Sequence, residues 1–230
     1  PNMVTYMESH DEERVIYKAL NYGNSTSNYN VKNLNTSLER LKSAGSILFL
    51  LPGPKMIWQF GEIGYDISID YNGRLGKKPI KWNYLNELNR KNIYNTWSYL
   101  ISLRKKHSIF SDPQSKIDTW LNSSIKKIQY SLGEENAILI TNFDVKTLQT
   151  SVSLPSAGHW YHATLGEKIY IEDNELDVSI PAGTFLLMTD FEIDYLPKGQ
   201  AKLSVEEIIM PKSLTLHSNY PNPFNNRTSI

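Results

Sequence analysis

The hydrophobic period of this chain switches from helical to strand-like at Pro113, and that switch limits its possible folds more than any other feature. Upstream of Pro113, apolar residues recur at three- and four-residue steps. In "NTSLERLKSAGSILFLL" this places Leu38, Leu41, Gly45 and Leu48 on one helical face, behind a capping box at Thr36-x-x-Glu39. In "NIYNTWSYLISLRKKHSIF" it aligns Ile93, Trp97, Leu100, Ile101 and Arg104. Short runs of strand-formers precede these helices, at Met3–Met7 and in "PKMIWQF". The Asn-rich stretch from Asn21 to Asn35 and the Gly-rich stretch from Gly61 to Asn86 read as loops. Downstream, "IKKIQYSL", "NAILITNFD", "LQTSVSLP", "GHWYHATLG", "LDVSIP" and "GTFLLMTDF" alternate with period two, divided by Gly, Pro, Asn and Asp.

Strand–helix–strand–helix implies parallel strands with crossover helices. Two such units cannot close a sheet, so residues 1–113 are expected to be the last two βα units of a TIM (β/α)8 barrel, although a doubly wound sheet shares the local pattern. Residues 114–193 are expected to be an antiparallel β-sandwich that folds by itself. The fold class is therefore α/β followed by all-β. Composition shifts again near Leu196, giving a linker over 194–213 and a Pro/Asn-rich segment over 214–230.

Bulk composition mostly excludes. Lys plus Arg and Asp plus Glu are equal at 24 each, so no overall field favours nucleic acid. The chain has no Cys, which removes disulfides, thiolate chemistry and thiolate metal sites. No apolar run approaches the roughly 20 residues needed to span a bilayer. The chain starts at Pro1 without Met or a signal pattern and is expected to be a piece of a longer protein. No metal-ligating constellation stands out, and the cofactor remains unknown.

The stretch "TYMESHDEERV", Thr5–Val15, carries the chemistry and two readings. Ser9-x-x-Glu12 is a capping box that announces a helix, with Asp11 decorating its positive end. Alternatively, a strand delivers the His10-Asp11 pair to the rim of a barrel.

"VTYMESHDEERV", "LLPGPKMIWQFGEIGYD", "GRLGKKPIKWNY" and "YLISLRKKHSIF" resemble, in order and spacing, the C-terminal third of the α-amylase family, glycoside hydrolase family 13. The resemblance covers about residues 1–190. It implies that Asp11 is the carboxylate that stabilises the transition state and that His10 hydrogen-bonds sugar hydroxyls at the cleavage subsite. Ser9 stands where many members have Asn. Trp58-Gln59-Phe60 replaces a more usual Tyr-x-Gly, so Glu62 and Gly64 carry that part of the match. Arg74 and Trp82 fall in a segment that borders the substrate cleft in the family, and Arg74 is expected to bind substrate. Trp58 and Trp82 are expected to pack between helix and strand. A retaining glycosidase needs a nucleophile and a proton donor about 5–5.5 Å apart. The family takes these from earlier strands, upstream of Pro1, so this portion alone is expected to be inactive. Structural calcium, common in the family, would be held mostly by the same missing part.

"LHSNYPNPFNNRTSI" resembles the entry to the C-terminal sorting domain of type IX secretion, with Asn226 in place of the usual Pro. That implies a secreted or cell-surface protein of a Gram-negative bacterium, with the secretion machinery as partner. The leading expectation is a retaining hydrolase acting on starch or maltodextrin. The alternative is a carbohydrate-binding sandwich with a non-catalytic barrel remnant. Hydrolysis, transglycosylation and branching, and endo and exo action, stay open.

Overall fold

The computed structural model describes residues 3–196, so the linker beyond 196 and the sorting-domain match at 214–230 lie outside the described residues. The elements are helices α1 (Val15–Tyr22), α2 (Leu34–Leu50) and α3 (Leu88–Lys106), followed by strands β1 (Lys116–Trp120), β2 (Ile125–Leu132), β3 (Glu135–Asn142), β4 (Leu148–Ser153), β5 (Gly158–His162), β6 (Glu167–Ile171), β7 (Glu175–Ile180) and β8 (Phe185–Thr189). All pairs among these strands are antiparallel. One sheet runs β1-β2-β3-β8-β5-β6, and β4 pairs only with β7.

The period-two segments become strands for the expected reason. In β3, Ala137 and Leu139 face a core built with the helices, while Ile138 and Ile140 face a second core under the β4–β7 ribbon. Both faces of the large sheet are therefore covered. Strands β1 and β6, at its two edges, were not among the expected segments. "KIDTW" and "EKIYI" bury little, so their alternation carries a weak signal.

Helix α2 buries Leu38, Leu41, Gly45 and Leu48 as its period predicts. Its cap differs from the expected Thr36 box: Asn33 Oδ1 accepts from the backbone N–H of Asn35 at 3.0 Å and of Thr36 at 3.4 Å. Glu39 therefore falls beyond the first turn, too far along to act at the helix start. Gly45 lets α3 come close, since a Cβ there would lie 2.1 Å from Trp97 Nε1. At the other end of α2, the Arg104 guanidinium donates to the carbonyls of Phe49, Leu51, Gly53 and Phe110, satisfying groups the helix leaves open.

The two expected barrel strands shorten to one parallel bridge, Thr5 to Lys55. It is closed by Thr5 N–H to Pro54 C=O and Met56 N–H to Thr5 C=O, both 3.0 Å. The residues around it stay exposed: Met3, Val4, Tyr6 and Ile57. The core does not stop at residue 113. Ile16, Leu38, Trp97 and Leu100 from the helices share one cluster with Ile128, Tyr130, Leu139 and Leu187 from the sheet. The described residues, 3–196, belong to one compact unit.

Candidate functional site

The chain leaves the Thr5 bridge, buries Glu8 and Ser9, and then turns outward at His10 and Asp11. The Ser9 and Glu12 side chains bond each other, and Ser9 Oγ accepts the Asp11 N–H at 3.1 Å. The expected capping box is thus spent within the turn. Helix α1 begins later, at Val15, where the Glu8 carboxylate accepts the backbone N–H at 2.8 Å in place of a local cap.

His10 Nε2 lies 3.1 Å from Asp11 Oδ2. Arg74 Nη2 donates to the Asp11 carbonyl at 2.6 Å and stands 3.9 Å from Asp11 Oδ1. The three side chains are 73%, 66% and 55% exposed, so all are open to a ligand. The His10 ring sits beside the Trp58 indole, centroids 5.9 Å apart and tilted 48°. The structure therefore brings all three sequence-predicted site residues together, with one aromatic wall.

Several residues that the sequence reading passed over hold this arrangement. Glu13, next to the turn, accepts the Ile69 N–H at 2.9 Å and the Ser68 hydroxyl at 2.7 Å, tying the turn to the Gly-rich loop. Lys78 Nζ donates to the carbonyls of Tyr71, Gly73 and Gly76 at 2.7–3.0 Å, closing the bend that presents Arg74. Arg90, on α3, is 2% exposed and anchors the loop's base: it pairs with Asp66 at 2.9 Å and Glu87 at 2.7 Å, and donates to the carbonyls of Ile63 and Gly64. Its guanidinium lies 3.7 Å from the Tyr84 ring centre. Burial, then the bond to Asp66, pushes the Tyr84 phenol well above its ordinary range. One signal for Arg90 was available, because it extends the Ile93–Trp97–Leu100 stripe and a charge on a buried face needs partners.

Behind the turn, burial pushes the Glu8 carboxyl up to about 7, against the helix-start bond from Val15 and the nearby Arg14 charge. Burial also raises Glu62. Beside the cluster opens a cleft of about 460 Å³, walled by Trp58, Phe60, Trp82 and Tyr94 with Gln59 and Glu62. The expectation that Trp82 packs between helix and strand is corrected here. It is 49% exposed and meets Phe60 edge-on, centroids 4.8 Å apart, because its short 3₁₀ turn, Trp82–Asn86, sets it on the wall of the open cleft. Trp58 is half-buried and lies between His10 and the Arg14 guanidinium.

Chemically, the cluster offers one carboxylate, one imidazole and one guanidinium on an aromatic edge, a set that can grip hydroxyls through charge-assisted hydrogen bonds. No group of three or more His, Cys, Asp or Glu residues among the described residues is placed to hold a metal ion. No helix among them is long and apolar enough to cross a membrane.

No family profile matches the chain, and no curated protein matches it in sequence. Solved structures do resemble it. An alpha-amylase from Geobacillus thermoleovorans, complexed with acarbose, superposes with a TM-score of 0.60 at 14% identity, over 82% of this chain and 38% of its own. A variant of AmyP in complex with maltotriose gives 0.62 at 12% identity, over 81% and 40%. A maltogenic alpha-amylase from Thermotoga neapolitana gives 0.57 at 13% identity, over 83% and 41%. At such identities the likeness shows the fold alone. The chain spans about two fifths of the length of these enzymes.

Proposed function

We propose that this chain is the C-terminal portion of a retaining α-glucan hydrolase of the α-amylase type, with Asp11 as its transition-state-stabilising carboxylate and His10 and Arg74 as sugar-binding residues. The observation that carries the reading is the meeting of Arg74 with the His10-Asp11 pair across 63 residues of sequence, at an open rim beside Trp58. A carboxylate that a sugar can reach, and from which the bound sugar displaces water, can stabilise an oxocarbenium-like transition state. His10 and Arg74 can hold neighbouring hydroxyls while the ring flattens.

The fold likeness supports the same reading, as do the maltotriose and acarbose held by two of those relatives. In this reading residues 1–113 are the last two βα units of a (β/α)8 barrel. The lone parallel bridge, with Met3, Val4, Tyr6 and Ile57 exposed around it, fits strands that expect neighbours. Residues 114–193 are then the domain that follows the barrel, 194–213 a linker, and 214–230 the start of a type IX sorting domain that exports the protein from a Gram-negative cell. The nucleophile and proton donor belong to the remainder of the barrel.

The test is to read the frame upstream of the Pro1 codon, express the longer protein and assay maltodextrin hydrolysis. Asp11→Asn should lower kcat by about 10²–10³-fold, the range for losing one transition-state stabiliser. Hydrolysis untouched by that substitution, or no activity on α-glucan, would reject the reading. A second reading, a starch-binding sandwich, is favoured by one observation: Trp120 and Tyr170, on the two edge strands, are 49% and 63% exposed. Starch retention by the present chain that Trp120→Ala abolishes and Asp11→Asn spares would select it.

A further inference from the structure

The turn Ser9–Arg14 is tied at both ends by side chains that cross. From before the turn, Glu8 Oε1 accepts the Val15 N–H beyond it at 2.8 Å. From its far end, Arg14 Nη1 donates to the Ser9 carbonyl at its near end, at 3.0 Å. Both side chains are buried, Glu8 5% and Arg14 2% exposed, and each keeps one polar atom without a hydrogen-bond partner, Glu8 Oε2 and Arg14 Nε. Oε2 faces Gly61, where an added Cβ would stand 3.2 Å away. Arg14 packs near the rings of Trp58 and Tyr65, 5.8 and 5.6 Å from their centres. Leaving a buried charge with an unmatched atom is costly. An ordinary helix cap at residue 14 would start α1 without that cost.

We propose that Glu8 and Arg14 are positioning residues of the candidate site, a crossed clamp that fixes the turn presenting His10 and Asp11, its Glu8 half tightened or eased by one proton. The inference rests on reading His10-Asp11 as a site. The physics of the clamp does not. Arg14 connects it to the aromatic wall as well as to Ser9, so the backbone behind His10 and the indole beside His10 are set by one guanidinium.

The proton enters through Glu8. The charges that face it are Arg14, which favours the carboxylate, and Glu62 and Glu13, which oppose it. Burial outweighs all of these, and the acid titrates near 7 instead of its ordinary 4.5. The carboxylate holds the α1 N-terminus with a charge-assisted bond, and the neutral acid holds it more weakly. Acidification therefore loosens the Val15 tie while removing the cost of a buried charge. Local order of the turn and the global stability contributed by Glu8 move in opposite directions.

NMR of the full 230-residue chain between pH 5.5 and 8 tests this. The Val15 and Ser9 amide signals, at the two ends of the turn, should shift with one common midpoint near 7. Val15 amide protection, corrected for intrinsic exchange, should be about fivefold lower at pH 5.5 than at pH 8, the gap between a charged and a neutral hydrogen bond. Glu8→Gln, which keeps an acceptor for Val15, should flatten the shared titration. The same midpoint persisting in Glu8→Gln would overturn the proposal. So would a Val15 or Ser9 signal in the unsubstituted chain that ignores the Glu8 titration, a measurement that decides the matter even if the variant does not fold. No sugar is present, so failure here and failure of the glycosidase reading are distinguishable.

Discussion

The six-stranded sheet and the segment that carries His10 and Asp11 use the same kinds of residue to opposite ends. In the sheet, β2, β3 and β8 lie in the interior of a hydrogen-bonded ladder and bury both faces. Asn142 there serves the backbone, its Nδ2 donating to the carbonyls of Lys146 and Ile180, both at 2.8 Å, and the buried atoms left unmatched are neutral hydroxyls, Tyr130 Oη and Thr141 Oγ1. In the turn segment there is one parallel bridge, and buried Glu8 and Arg14 keep unmatched atoms. Aromatic and aliphatic side chains stay in solvent. The difference shows where stability and function part. The sheet closes on itself, whereas the turn leaves charged groups unmatched and apolar surface uncovered.

That contrast can be broken most directly by shortening single side chains. Leu139→Ala, at the centre of the sheet, should cost about 2–5 kcal/mol in urea unfolding, while Val4→Ala at the bridge should stay within about 0.5 kcal/mol. Equal costs would mean that the turn segment is as integral as the sheet. Next comes pH, where the two regions should respond with opposite sign. Glu8 holds its proton more tightly folded than unfolded. Its contribution is therefore complete below 4.5 and fades as the pH rises through about 7. By linkage this is worth roughly 3 kcal/mol, and Glu8→Gln should remove that slope from a denaturation series. His162 in β5 is the reverse. Burial lowers its value beneath 6.5, so its contribution is present above 6.5 and is lost as the pH falls through the lower folded value. His162→Gln should flatten the acid side only.

A third test sharpens the boundary between the regions. Gly45→Ala pushes a methyl into Trp97, at the seam where α2 and α3 meet beneath the sheet. Overpacking there should cost about 1–3 kcal/mol. The loss should appear in sheet signals as well as helix signals, since the core is shared. The smallest effect belongs to Lys106→Ala. Its pair with Asp194, 2.7 Å apart with side chains 55% and 70% exposed, should contribute at most about 1 kcal/mol and less in high salt.

Local periodicity alone determined helices α2 and α3 and six of the eight strands among the described residues, because each is written in the spacing of apolar residues over a few turns or pleats. The same spacing says little about edges, so β1 and β6 passed unnoticed, and the Ser9-x-x-Glu12 pattern suggested a helix start that the turn itself absorbed. Tertiary structure decided the rest. It brought Arg74 to Asp11, turned the sheet's second face toward the helices, and sank Glu8 and Arg14 into a place where each reaches across the turn. These contacts join residues far apart in the chain or depend on what covers a side chain, and neither separation nor cover leaves a trace in a local hydrophobic period.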